Sequence, residues 1–119
     1  MKTIASLTFV LTTLFTTSTV FADGFYGGVP VSIQKSDYSS IHATFVQLNA
    51  PIPSNGCTNN TGLVILDENE SSKEAVTFAL TALASGKRFT CYVVANQCSA
   101  ITGAAATYPV CGFYPTISN

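Results

Sequence analysis

The chain predicts a small β-barrel carrying one helix and stapled by disulfides, and three observations lead there. Ser71 to Val94 contains one amphipathic helix, closed by a glycine and followed at once by an alternating strand. Strand-like segments of period two lie on both sides of that helix, separated by turn-rich stretches. All four cysteines fall in the part of the chain that follows an export-type leader.

The leader comes first. Met1 to Ala22 has Lys2 as its only charge, then an apolar and hydroxyl-rich run from Ile4 to Phe21, ending in Val20-Phe21-Ala22. This is the pattern of a secretory signal cleaved after Ala22. A membrane anchor is disfavoured, because the threonines and serines between Thr8 and Thr19 dilute a run already shorter than the roughly 20 residues a bilayer span needs. Asp23 to Asn119 then forms one small domain, near the size at which a single core needs staples. An even cysteine count in an exported small domain predicts two disulfides among Cys57, Cys91, Cys98 and Cys111. Zinc is disfavoured, because no C-x-x-C occurs and the single histidine, His42, is distant from every cysteine in sequence.

Along the mature part, Phe25 to Gln34 alternates Val29, Val31 and Ile33 with Gly28, Pro30 and Ser32, predicting a first strand that Pro30 bends or confines to an edge. Ile41 to Leu48 is a second strand with apolar residues on both faces: Val46 and Leu48 on one, Ala43 and Phe45 on the other. Asn49 to Gly62, with Pro51, Pro53 and Asn55-Gly56, is a loop tied down by Cys57. Leu63 to Leu66 is a short third strand. In the helix, Ser71 and Glu74 have capping-box spacing, and Gly86 stands where a left-handed residue would end it. Val76, Ala79, Leu80 and Leu83 share the predicted inner face, with Phe78 nearly opposite. Phe89 to Val94 is a fourth strand, Ala95 to Ala106 a loop, Thr107 to Phe113 a fifth strand, and Tyr114-Pro115 begins a tail.

The order β-β-β-α-β-β is that of the OB-fold, a small Greek-key barrel. The alternative is an open α+β sandwich with the helix on one face; closure is preferred because it hides strand edges. If the last two strands form an antiparallel hairpin about Ile101-Thr102, Cys91 falls opposite Cys111 and Cys98 is left for Cys57.

No enzyme is predicted. His42 could join Ser40 or Ser85 and Asp67 on paper, but no nucleophile motif supports a triad. The acidic run Asp67, Glu68, Glu70, Glu74 lacks the glycine-punctuated spacing of a calcium loop and already suits a helix N-terminus. Gly24, Gly27 and Gly28 follow no strand and open no helix, so they make no phosphate loop. No cofactor is implied. Lys35, Lys73, Lys87 and Arg88 form no basic stripe, which argues against nucleic acid. A surface so poor in charge suits neutral, hydroxyl-rich ligands or subunit contacts.

A cysteine ahead of a short apolar strand, a helix ending in small residues, Gly86-Lys87 leading into an alternating strand, and a further cysteine together resemble small exported bacterial proteins of the AB5-toxin B-subunit type, such as the subtilase-cytotoxin and pertussis-like B subunits. The element order is shared from Gly27 to Phe113, the local pattern from Leu80 to Cys98. The resemblance implies an OB barrel, assembly into a homo-oligomeric ring and binding of cell-surface glycans, with no ligand-binding residue assignable. Phe78 and Phe45, both expected outside the core, are the expected subunit contacts. In the alternative Phe78 folds back over the Ala75 and Ala82 side of a monomer. A second functional expectation is an inhibitor of a periplasmic or secreted hydrolase, for which Pro51 to Cys57 would be the inserting loop.

Overall fold

A computed structural model describes residues 21–103 and 105–119. Except for Phe21 and Ala22, the expected leader lies outside the described residues. In chain order the elements are β1 (Gly24–Gly28), β2 (Pro30–Ser36), β3 (Ala43–Leu48), β4 (Gly62–Leu66), α1 (Ser72–Ser85), β5 (Arg88–Val93), β6 (Cys98–Ser99), β7 (Tyr108–Pro109) and β8 (Phe113–Ser118). One antiparallel sheet has the order β1-β5-β8 and another β2-β3-β4, while β6 and β7 form a short pair. Among the described residues these ladders do not close into a continuous barrel.

The expected first strand is divided at Val29. Its first half pairs with β5 and its second with β3, so the chain leaves one sheet for the other without a turn. Pro30 sits at the joint, where its missing N–H costs no ladder bond, and the register slips between Pro30 and Ser32. Val46, Leu48, Leu63 and Ile65 of one sheet meet Phe89, Cys91 and Val93 of the other, and α1 covers the end of this core.

The helix is turned from its expected orientation. Ala75, Ala79 and Ala82 are buried, Val76 and Phe78 pack against the core beside them, and Leu80 and Leu83 are exposed. Residues 75, 78, 79 and 82 also share a face, but it is made of methyl groups and one ring. The core is already filled by Phe89, Leu63 and Ile65, so only alanines let the helix approach. The capping box is likewise not formed: Ser71 occupies the N-cap position with no side-chain cap bond, and the Ser72 hydroxyl donates to the Asp67 carbonyl instead, at 3.3 Å. The C-terminus follows expectation. Gly86 has φ 69°, and its N–H and that of Lys87 both donate to the Ala82 carbonyl.

The outer face of β3, expected to meet a partner, meets its own chain. Phe45 is only 7% exposed, in a small cluster with Ala43 and Val64 against which Ile101 and Tyr108 pack. The Tyr108 ring lies 4.6 Å from the Phe45 ring. Ser36 donates to the Ile101 carbonyl, pinning this strap at one end. At the other, the Cys111 N–H donates to Val64 at 2.8 Å, next to a parallel bridge between Val64 and Val110. Gly62 makes room for the ring, since a Cβ there would stand 2.5 Å from Phe45.

Cys57 is joined to Cys98 and Cys91 to Cys111. The pairing agrees with the hairpin argument, but the register does not: β5 pairs with residues 113–118, Tyr92 lying opposite Phe113 and Thr90 opposite Thr116. Cys111 precedes that strand, on the segment bonded to β4, so its bridge to β5 ties the two sheets together through the core. The supposed tail from Tyr114 is therefore strand.

Candidate functional site

Buried Phe89, Cys91 and Val93 face inward on β5, so alternation turns Arg88, Thr90 and Tyr92 outward. The ladders place Phe25 and Phe113 opposite Tyr92 on either side, making an aromatic row across the outer face of the first sheet. Phe25 meets Tyr92 edge-to-face at 5.3 Å. Tyr114 joins the row, its ring 6.3 Å from both Phe25 and Phe113. Phe25, Phe113 and Tyr114 are 59%, 55% and 71% exposed. Beside the row runs a second line, Gly27, Thr90 and Thr116. A Cβ on Gly27 would lie 1.9 Å from the Phe89 carbonyl oxygen, so this line keeps a shallow floor.

Tyr114 is held at φ 49°, a left-handed conformation costly for an aromatic residue. The cause is a bulge: between the Thr90–Thr116 and Tyr92–Phe113 pairs, β8 inserts Tyr114 and Pro115 opposite Cys91. A bulge re-aims side chains, and here it puts a ring where glycine would be least strained.

A second feature lies at one end of the β2-β3-β4 sheet. A cleft of about 550 Å³ is lined by Ser40, Ile41, His42, Leu66, Asp67, Glu68, Cys98 and Ser99. A wider depression of about 640 Å³ adjoins it through Asp67 and reaches Lys35, Lys73, Val76 and Thr77. Lys35 pairs closely with Asp67 and stands 4.0 Å from Asp37. The His42 Nδ1 lies 3.2 Å from the same Asp37 carboxylate. These groups are about half exposed, so their ion pairs contribute little to stability.

Ser40, His42 and Asp67 thus share a cleft without forming a relay. The carboxylate facing His42 belongs to Asp37, Asp67 is engaged by Lys35, and Ser85 donates to the Thr81 carbonyl on α1. Glu74 lies in the first turn of α1, which the macrodipole favours, and among the described residues no group of three potential metal ligands gathers. Phe45 is buried and Phe78 is half-buried against the core, so, against expectation, neither stands free of the protein's own packing. In the Pro51 to Cys57 loop, Ile52 is in the core, Asn55 is buried and Cys57 is bridged to Cys98, while Pro51, Pro53, Ser54 and Gly56 are exposed.

The sequence reading missed the aromatic row because Phe25, Tyr92, Phe113 and Tyr114 come from three distant strands. Its one visible trace was Tyr92 on the outward alternation of β5. No family model matches the chain, and no curated protein or solved structure matches it.

Proposed function

We propose that the chain is an exported, non-enzymatic binding module on an OB-type barrel, related in role to glycan-binding toxin B subunits, and that its ligand is a neutral, hydroxyl-rich molecule of the cell-surface glycan class. The architecture is supported by three features: one extended segment, β1 and β2, serving both sheets; the helix between β4 and β5; and the parallel bridge from Val64 to Val110, which begins to link the sheets on the other side. Export is supported by the leader pattern together with two disulfides, which persist in oxidising compartments.

The observation that carries the function is the exposed aromatic row on a sheet face whose charges stand only at its ends, since contiguous exposed apolar surface of this kind marks interaction sites. Ring assembly remains part of this reading only through surfaces other than Phe45 and Phe78, the exposed Leu80 and Leu83 of α1 being available. Weak single sites repeated around a ring would then gain avidity. The test is a glycan array probed with residues 23–119, both monomeric and multimerised on a bead. Saturable binding to neutral glycans is expected. A blank array, with inhibition of a secreted hydrolase instead, would overturn the reading in favour of an inhibitor.

A further inference from the structure

We infer that the row Phe25, Tyr92, Phe113 and Tyr114 is itself the ligand seat, and that it takes an uncharged pyranose ring by stacking against the sugar's C–H face. This rests on the binding-module reading above and adds the site and the part of the ligand it holds.

Three observations converge. The first is charge. The nearest ionisable groups along the strands lie at the ends of the face: Asp23, whose carboxylate accepts the Ala95 N–H at 2.7 Å, and Arg88, opposite Ser118 at the far end of β5. No cation stands within the row to meet a phosphate or an acidic sugar, whereas the negative faces of aromatic rings attract the weakly positive C–H groups of a neutral sugar. The second is shape. The rings tilt at 76°, 41° and 48° to one another, a broken surface with hydroxyls at Thr90, Thr116 and the two tyrosines around it. Such a surface offers a face for the sugar and polar groups for its rim. The third is strain. The bulge holds Tyr114 in a left-handed backbone while the residue stays 71% exposed, so the strained position presents a ring that core packing does not use.

The experiment follows the aromatic ¹H–¹³C resonances of residues 23–119 during titration with methyl β-D-glucopyranoside, methyl β-D-galactopyranoside and N-acetyllactosamine, taken into the millimolar range where single-ring contacts saturate. Expected are saturable shifts at Phe25, Tyr92, Phe113 and Tyr114 with at least one sugar, and none at Tyr38, an exposed tyrosine on the other sheet's side. Phe25→Ala should weaken that binding about tenfold, a loss of roughly 1.4 kcal/mol, and Tyr38→Ala should leave it unchanged. Shifts confined to His42 and its cleft, an unaltered affinity in Phe25→Ala, or no ring shift with any of the three sugars would overturn the inference. If the ring shifts fail while the glycan array is positive, the glycan reading stands and the seat lies elsewhere; if the ring shifts fail and the array is blank as well, both fall.

Discussion

Gly86 and Ser71 bracket the helix, and the structure gives them different weights. Gly86 is left-handed with open space around it, so alanine there meets no clash and costs only the backbone penalty. We expect Gly86→Ala to lose about 1 kcal/mol by urea titration. Ser71 makes no side-chain cap bond, so Ser71→Ala should stay within about 0.5 kcal/mol of the parent, whereas a working cap would cost about 1. A glycine closing a helix was legible because only backbone conformation is at stake. The capping box was not, because the preceding turn sets Ser71 at φ −93° and ψ 17° rather than in the extended backbone an N-cap adopts, and the spacing does not encode that turn. Phe45 and Phe78 make the same point for side chains. Phe45→Ala should cost about 3 kcal/mol as an emptied core site. Phe78→Glu should lower the melting temperature by several degrees, because it puts a charge against Ala75 and Ala79; a variant with parental stability would show that Phe78 does not pack there.

Strand and helix positions could be read from periodicity, since alternation and 3.6-residue spacing are local properties. What covered the second face of β3 could not be read: Ile101 reaches Phe45 from the predicted loop and Tyr108 from the predicted fifth strand, and local spacing does not encode either contact. The same limit explains the shifted register of β5 and β8, set by the bulge at Tyr114-Pro115. The two disulfides staple different levels of this arrangement. Cys91 and Cys111 are buried between the sheets, while Cys57 and Cys98 are half-exposed and hold the strap and the long loop. Under mild reduction followed by alkylation and mass mapping, Cys57–Cys98 should open first. Replacing Cys91 and Cys111 together by alanine should cost about 3 kcal/mol by loop closure alone; a loss under 1 kcal/mol would mean the sheets hold without their staple.

For the molecule as a whole, one sheet face is packed into the core, a second is covered by the chain's own strap, and a third carries exposed rings with Arg88 only at its far end. The first two hold the fold together, and the last is the face on which the proposed binding rests. Tyr114 is where the two demands conflict, because its backbone would be more stable with glycine and its ring is presented to solvent. The most direct measurement is therefore melting temperature and sugar affinity, taken side by side on Tyr114→Gly and the parent, with the best-bound sugar of the neutral series. We expect a melting temperature equal to or above the parent's, with affinity weakened about tenfold or more. A variant that melts lower and binds as the parent does would contradict that expectation.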